Sequence, residues 1–503
     1  MDQDTSEKKA KKSPIPCDPS VFQQSSKRQC LISEESQKYH PPLYDEVDDS
    51  SADEKRATIH VLNNDLIDII LSYFNIFETF KLSLVCKRWY NLSLLKIARI
   101  TTLSLPDIDK LNATNLSHLN DLMPNLVHIT LVGSYLTDFA VLEVISEKIA
   151  PRMKSICLDG YSHATKNEVL SKVLKNVNKL AEFSLYQPRA GPTSDHEEDA
   201  SIIPSVLSLT NPVKRVWLCC PVLHPSVLEF FIGNFADTLE HLDISICDGR
   251  CLDNIANMKN LPLLYKMKTL YAQSRKVTNM SYPPPVSCSA MILILMRMPN
   301  LKNLDLTGNY TLSSKGFDVL CTLSTHCLFI EELNLSNCYF PAEKLENLKK
   351  LKCLKKFRYD QMPARIYSQS LLASTFLMFA SNVLPHLKKI EYVSMRYIKF
   401  EEDELVLFIG NAGPKFKELV LKATNIMCPI KGLDNSDNSK AAVHNIMENA
   451  LKRCTSLSRT EPFTITTSDF NKENSSPQNS DTDYISYYND ISPKFLKIVS
   501  ASF

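Results

Sequence analysis

Cysteine and histidine are the residue types in this chain that could supply catalytic or metal-binding chemistry. A thiol and an imidazole are neighbours at His326 and Cys327. Adjacent residues of a helix point in different directions, so this pair does not predict a nucleophile and its base. No CxxC couple occurs, and Cys247 and Cys251 stand apart from any histidine pair. We predict no catalytic residue, no metal ligand and no cofactor.

A repeated apolar pattern, apolar-x-x-apolar-x-apolar, dominates the chain behind residue 99, and its neighbouring copies start 24 to 34 residues apart. Three copies, LEHLDISIC, LKNLDLTGN and IEELNLSNC, close with Cys247, Asn309 and Cys338, residue types that suit a buried turn. The pattern resembles leucine-rich repeats, which implies an α/β horseshoe with a parallel sheet inside and helices outside. The copies start at Ile100, Leu126, Met153, Leu180, Val213, Leu239, Met267, Leu301, Ile330, Leu354, Leu387 and Phe416.

Side chains at the third, fifth and seventh positions of each copy alternate away from the core and face the concave side of the sheet. In the middle of the array these positions combine aromatic rings with charges. Trp, Tyr and Arg often dominate protein interfaces, which favours Trp217, Tyr271 and Arg215 as contacts. An alternative interpretation is that the Pro-rich segment Ser281 to Ser287 covers Trp217. The predicted substrate-binding residues are Arg215, Trp217, His241, Asp243, Tyr271 and Asp305.

A second group of charges lies further along the array. Lys356, Arg358 and Lys389 form a predicted basic strip opposed by Glu391 and Glu418. Such a strip either selects an acidic or phosphorylated segment or is an ordinary mixed surface.

The segment from residue 59 to residue 92, IHVLNNDLIDIILSYFNIFETFKLSLVCKRWYNL, has apolar residues at helical spacing and predicts two amphipathic helices. The apolar residues of the second helix are Phe80, Leu84, Val85, Trp89 and Leu92. Asn63 or Asn64 caps the first helix, and Asp65 complements the helix dipole. Some thirty residues are too few to bury two apolar faces, so part of this surface must meet a partner or the next domain.

The same segment resembles an F-box, the module that docks onto the Skp adaptor of SCF-type cullin-RING ubiquitin ligases. The ordered run SLVCKRWYNL carries the resemblance, whereas Asn63 and Thr79 depart from the proline and leucine usual in the family. These two departures raise the question of a weakened adaptor affinity. The resemblance implies these adaptor-binding residues: Leu62, Leu66, Ile70, Leu84, Val85, Cys86 and Trp89.

Composition fits a helical module, a large repeat domain and two polar tails. The chain is 44% apolar with a formal net charge of +1, which favours neither nucleic acid nor membrane as a partner. The start, MDQDTSEKKAKK, is too charged for a signal peptide and predicts a cytoplasmic or nuclear protein. The predicted domains are a disordered tail (1–57), an F-box (58–98), a repeat domain (99–458) and a largely disordered tail (459–503).

Both tails carry short motifs with open interpretations. KKAKK at residues 8–12 is either an import signal or a solvated charge run, and KEN at residues 472–474 is either a degron or a chance tripeptide. The apolar end from Tyr484 to Phe503 either folds back onto the repeats or forms a separate linear motif.

Taken together, these patterns predict a non-catalytic substrate-recognition subunit of an SCF-type ubiquitin ligase. Its partners would be the Skp adaptor, through it the cullin and RING subunits, and an unidentified protein substrate. The alternative is a leucine-rich repeat scaffold or inhibitor without a ligase role. The run SLVCKRWYNL distinguishes the two, because a plain scaffold has no reason to reproduce its spacing.

Overall fold

The computed structural model describes residues 62–105, 112–160, 167–186, 203–220, 223–245, 247, 250–274, 285–313, 318–361, 375–396, 398, 402–412, 416–422, 464–467 and 496–498. The KKAKK and KEN motifs lie outside the described residues. The chain divides into two compact units, Met1–Leu66 and Ile67–Phe503. The domain boundaries at residues 58, 99 and 459 remain predictions.

Three helices begin the described chain where the sequence pattern predicts two. They are α1 (Asn64–Ser72), α2 (Ile76–Ser83) and α3 (Lys87–Ala98). The prediction of one helix from Phe80 to Leu92 is wrong, because Cys86 adopts an extended backbone with φ −166° at the N-cap of α3. The break leaves Leu84 and Val85 in the turn between α2 and α3.

Asparagine side chains begin the first two of these helices. The backbone N–H of Leu66 donates to Asn63 Oδ1 at 2.8 Å, which confirms the predicted cap. A reciprocal pair begins α2: the N–H of Glu78 donates to Asn75 Oδ1 at 3.0 Å, and the N–H of Asn75 donates to Glu78 Oε2 at 2.9 Å. This capping box satisfies two N–H groups that have no partner inside the helix.

The strands form one sheet in chain order, and the first twelve strands confirm the predicted parallel array. Successive strands are matched residue by residue, so that Trp217 of one strand pairs with Asp243 of the next. This architecture is compatible with a repeat horseshoe. The twelve strands are β1 (Thr102–Leu105), β2 (His128–Val132), β3 (Ser155–Asp159), β4 (Glu182–Tyr186), β5 (Arg215–Cys219), β6 (His241–Asp243), β7 (Thr269–Tyr271), β8 (Asn303–Asp305), β9 (Glu332–Asn334), β10 (Lys356–Arg358), β11 (Tyr392–Arg396) and β12 (Glu418–Lys422).

Side chains alternate between the two faces of this sheet. In β3, β4 and β5 the apolar residues on one side of the sheet, such as Ile156, Phe183 and Val216, are fully buried. They join one continuous apolar core that also includes buried helix residues such as Phe231. We call the other side, which bears the third, fifth and seventh repeat positions, the open face. Because every strand repeats the alternation, the open face collects residues from the whole array.

The three turn-closing residues are buried and hydrogen-bonded to the preceding repeat. Cys247 Sγ donates to the Leu218 carbonyl at 2.7 Å, and Cys338 Sγ donates to the Leu306 carbonyl at 3.0 Å. Asn309 Nδ2 donates to the Ala272 carbonyl at 2.7 Å. These bonds satisfy carbonyls that the strand ends leave without a strand partner, so they fasten each turn to its neighbour.

One repeat is displaced from its predicted start. Tyr392 of β11 pairs with Lys356 of β10, the third position of the preceding copy. The first apolar position of this copy is therefore Ile390, and the predicted start at Leu387 is wrong by three residues. Both assignments satisfy the apolar spacing, and packing decides between them because Val393 and Met395 then enter the core. Lys389 therefore precedes the strand.

Helical segments separate the strands, as the sequence predicts. Among the described residues, no helix is long and apolar enough to cross a membrane. The α-helices after α3 are α4 (Ala113–Leu122), α5 (Gly133–Leu136), α6 (Phe139–Val144), α7 (Asn167–Asn176), α8 (Ile203–Val206), α9 (Pro225–Phe235), α10 (Arg250–Ala256), α11 (Cys288–Leu295), α12 (Val319–His326), α13 (Ala342–Leu345), α14 (Thr375–Met378) and α15 (Glu402–Asn411). π-helical and 3₁₀ segments follow at Ile145–Ile149, Ala150–Arg152, Tyr310–Ser313, Glu346–Lys350, Phe379–Val383 and Leu384–His386.

The sheet extends past residue 458, where the repeat domain is predicted to end. Strand β13 (Thr464–Thr467) pairs in parallel with β12, and strand β14 (Leu496–Ile498) pairs antiparallel with β13. The second of these strands lies in the apolar end of the chain that was considered for folding back.

Candidate functional site

Exposed apolar side chains are concentrated in the turn between α2 and α3 and on α1. Leu84 is 82% exposed and Val85 is 49% exposed, while Ile69 of α1 and Tyr73, which directly follows α1, are also exposed. Single exposed apolar residues are ordinary on protein surfaces, but several within about twenty residues indicate an interaction surface.

Trp89 occupies a different position from the exposed residues beside it. It is only 4% exposed, and its indole Nε1 has no hydrogen-bond partner within the described part of the chain. Ile70 and Cys86 are half-buried. Trp89 therefore belongs to the interior of the helical region and not to its exposed surface.

Two of the adaptor-binding candidates, Leu62 and Leu66, belong to the Met1–Leu66 unit. Leu66 is exposed and Leu62 is half-buried. The Asn63 cap described above lies between them in sequence, so the residue that replaces the usual proline has a helix-capping role here.

Thr79, the second departure from the F-box pattern, is fully buried. Its hydroxyl donates to the Asn75 carbonyl at 2.8 Å and accepts from Lys96 Nζ at 3.3 Å. Lys96 Nζ also donates to the Phe74 carbonyl at 2.9 Å, and burial lowers the pKa of this lysine. Thr79 thus belongs to an internal polar contact between helices and does not form part of an exposed surface.

An aromatic cluster lies on the open face in the middle of the sheet. The ring centroids of Trp217 and His241 are 4.9 Å apart, and those of His241 and Tyr271 are 5.5 Å apart with perpendicular planes. All three side chains are half-buried. The structure thus brings three of the predicted substrate-binding residues into one cluster.

Arg215 and Asp243 border this cluster with opposite charges. Arg215 is exposed and forms an ion pair with Glu182 at 3.0 Å. Asp243 Oδ1 accepts from the backbone N–H of Ser245 at 2.8 Å. Burial lowers the pKa of His241, and its Nε2 has no hydrogen-bond partner among the residues described. A histidine with a lowered pKa is neutral at pH 7, so it does not balance the charge of Asp243.

Asp305 differs from the other five candidates because it is only 8% exposed. Its Oδ2 accepts from Gln273 Nε2 at 2.7 Å and from Asn334 Nδ2 at 2.9 Å, and its Oδ1 accepts from the Thr307 hydroxyl at 2.6 Å. The carboxylate is the centre of a network that connects three neighbouring repeats. Sequence reasoning did not identify Gln273 and Asn334 as its partners, although Asn334 and Asp305 occupy equivalent positions of adjacent repeats.

Three thiols of the array, those of Cys157, Cys219 and Cys327, are held in their protonated form. Burial raises the pKa of Cys157 to about 11 and that of Cys219 to about 12, with nearby carboxylates adding to both shifts. Burial also raises the pKa of Cys327 to about 12. Nucleophilic thiols require the opposite shift, so none of these three residues is prepared for nucleophilic chemistry. Among the described residues, no group of three potential ligands could hold a metal ion.

The predicted basic strip is divided by the structure. Lys356 forms an ion pair with Glu332 at 2.7 Å, and the Arg358 guanidinium lies over the Tyr392 ring, 5.4 Å from its centroid. The expectation that Lys389 joins them on the sheet is wrong, because that residue precedes β11. Residues 281–284 of the segment considered as a cover for Trp217 lie outside the described residues.

Comparison with known proteins identifies one domain. The F-box domain family matches residues 59–97. No curated protein matches the chain. Among solved structures, the chain is similar to the crystal structure of the Rad7 and Elc1 complex in yeast, with 12% sequence identity over 85% of this chain and 100% of that chain and a TM-score of 0.36. A likeness of that size supports no functional argument.

The chain therefore contains an F-box domain that includes α1, α2 and α3 up to residue 97. Such domains bind Skp-type adaptors, and the proteins that carry them generally act as non-catalytic substrate receptors of SCF-type ubiquitin ligases. This is the class of protein that the domain indicates.

Proposed function

We propose that this protein is the substrate-recognition subunit of an SCF-type ubiquitin ligase. Its F-box binds the Skp adaptor and through it the cullin and RING subunits, and its leucine-rich repeat array holds the protein to be ubiquitinated and degraded. The receptor contributes proximity, because it raises the effective concentration of substrate lysines near the ubiquitin-conjugating partner.

The observation that carries the proposal is the exposure of Leu84 and Val85 within the matched F-box domain. Both side chains stand in the turn between α2 and α3. Covering two exposed aliphatic side chains contributes roughly 1.5–3 kcal/mol each to an interface. Leu62, Leu66, Ile70 and Cys86 are proposed as further adaptor-binding residues.

The proposed substrate contacts are on the open face. Trp217, His241 and Tyr271 supply rigid rings, and Arg215 and Asp243 supply charges at their border. Asp305 is assigned to the floor of this surface, since its oxygens are already hydrogen-bonded.

Affinity purification with a matched control tests the adaptor interaction. The intact chain, a Leu84→Ala/Val85→Ala variant and a Leu328→Ala/Phe329→Ala variant are each purified from cells, and recovered adaptor and cullin are quantified. Leu328 and Phe329 are an equally apolar exposed pair outside the F-box. We expect recovery with the intact chain and with the control, and a loss of at least about tenfold with the F-box variant.

Two outcomes would contradict the proposal. Adaptor recovery that is equal for all three chains would remove Leu84 and Val85 from the contact. No adaptor with any chain would favour the alternative function, a repeat scaffold or inhibitor without a ligase role.

A further inference from the structure

Asp243 lies between two aromatic residues on the open face. In the sheet register, Trp217 of β5 pairs with Asp243 of β6, and Asp243 pairs with Tyr271 of β7. Neighbouring strands are about 4.8 Å apart, and register-matched residues of a parallel sheet share a face. Asp243 therefore has an aromatic residue on each neighbouring strand, and the His241 ring of its own strand contacts both of these rings.

No cationic side chain of the described residues forms an ion pair with Asp243. The neighbouring Arg215 is paired with Glu182 at 3.0 Å. His241, on the same strand, is kept neutral by burial, which lowers its pKa. Asp243 accepts one backbone hydrogen bond, at 2.8 Å from Ser245, and this leaves its net charge uncompensated by a neighbouring cation.

The surrounding surface has the same sign of charge. The open-face positions of β3 to β9 include one arginine, Arg215, and five carboxylates. Glu182 pairs with Arg215, and Glu332 pairs with Lys356 of β10. The five carboxylates are Asp159, Glu182, Asp243, Asp305 and Glu332. Carboxylates therefore outnumber cations at the open-face positions of β3 to β9, which favours a cationic segment over an acidic or phosphorylated one.

We propose that the substrate is recognised through a basic segment whose arginine or lysine side chain lies over the Trp217 and Tyr271 rings, beside His241, and pairs with Asp243. The two rings supply cation–π attraction, and the carboxylate supplies a charge-assisted hydrogen bond. Calling the occupant a substrate rests on the proposed function, whereas the preference for a cation rests on the open face alone.

The preference can be measured without knowing the natural partner. The chain has two tryptophans, so labelling the full-length protein with 5-fluorotryptophan gives two ¹⁹F signals, one of which Trp217→Phe assigns. The probes are N-acetyl-arginine methylamide, its lysine counterpart, the neutral isostere N-acetyl-citrulline methylamide and N-acetyl-glutamate methylamide, each titrated at constant ionic strength.

We expect a saturable shift of the Trp217 signal with the arginine or lysine probe, while the Trp89 signal stays unchanged. Citrulline should bind about tenfold more weakly, because it retains the shape and loses the charge. Asp243→Asn should weaken the arginine response by a similar factor. Glu332→Gln, which removes an equal charge from the same face, should leave it within about twofold.

A Tyr271→Leu variant gives a second assay that does not alter the carboxylate, and an unchanged Trp89 signal verifies folding. The proposal fails if neither cationic probe gives a saturable shift, if citrulline or glutamate gives an equal one, or if Asp243→Asn and Tyr271→Leu have no effect. These measurements involve no adaptor. Failure of the intact chain to bind the adaptor would therefore overturn the ligase role. A Trp217 signal that does not shift with either cationic probe would overturn the basic-segment proposal.

Discussion

The F-box helices and the open face present two different kinds of surface. The F-box exposes aliphatic groups, Leu84 and Val85, that have no polar requirement to meet. The open face exposes rings and charges, and many of its polar groups are already engaged, as in the Arg215 and Glu182 ion pair. Binding at the first surface depends on apolar area, whereas binding at the second depends on a few groups such as Asp243 that the fold leaves uncompensated.

The largest expected effect distinguishes a buried F-box residue, which stabilises the fold, from an exposed one, which contacts the adaptor. Trp89→Ala removes a buried ring, and we expect the free energy of unfolding to fall by about 3–5 kcal/mol. Leu84→Ala removes an exposed side chain, and we expect a change within about 0.5 kcal/mol together with loss of adaptor binding. Urea denaturation followed by far-UV circular dichroism measures the free energy of unfolding of both variants, and affinity purification measures their adaptor binding. Equal destabilisation by the two substitutions would show that Leu84 has a structural role as well.

The next effect separates the two aspartates of the open face. Asp305→Ala leaves the amides of Gln273 and Asn334 without their acceptor, and we expect a loss of about 2–3 kcal/mol in stability. Asp243→Asn keeps an oxygen for the Ser245 N–H, so it should change stability by less than about 1 kcal/mol. Thermal unfolding compares the variants. A larger loss from Asp243→Asn would mean that the carboxylate is structural and would weaken its assignment to binding.

A smaller effect concerns the ion pairs at the strand starts. Hydrogen bonds from Lys355 and Lys302 lower the pKa of Glu331 from 4.5 to about 2. A carboxylate with a lowered pKa stabilises the fold above the unfolded value, and this contribution is lost as the pH falls from about 4.5 to about 2. We expect Glu331→Gln to cost about 1 kcal/mol or less at pH 7, and this difference should vanish near pH 2. Urea denaturation at pH 7 and at pH 3 measures the stability difference between Glu331→Gln and the unsubstituted protein. An equal difference at both pH values would contradict the prediction.

The smallest effect is the titration of His241. Its pKa is lowered by burial, with Arg215 lowering it further and Asp243 and Glu182 opposing the shift. The neutral form is therefore favoured by folding, and stability should decline as the pH falls below the ordinary histidine value of about 6.5. NMR titration of the His241 ring should give a pKa below that value, and Trp217→Ala should raise it by exposing the ring. A protonated His241 would also compete with a cationic ligand for Asp243, so acid should weaken the arginine response.

Local sequence signals were sufficient for much of the architecture. The apolar spacing located eleven of the twelve predicted strands, since a parallel sheet with one buried face requires a fixed alternation. It failed at Leu387, where Leu387 and Ile390 satisfy the same pattern and only the pairing of Tyr392 with Lys356 distinguishes them. It also missed the break before α3, because Leu84 and Val85 continue the helical periodicity that the extended backbone of Cys86 interrupts.

The sequence by itself determined the F-box, the repeats and the identity of the open-face residues, because these depend on periodicity along the chain. Only the tertiary structure decided which of the candidate residues are exposed to a partner. Trp89 and Asp305 are buried, Leu84 is exposed, and Asp243 pairs in register with Trp217 and Tyr271 and forms no ion pair with a cation of the described residues. Burial and charge compensation arise from contacts between repeats that are distant in the chain, and such contacts leave no periodic signal in the sequence.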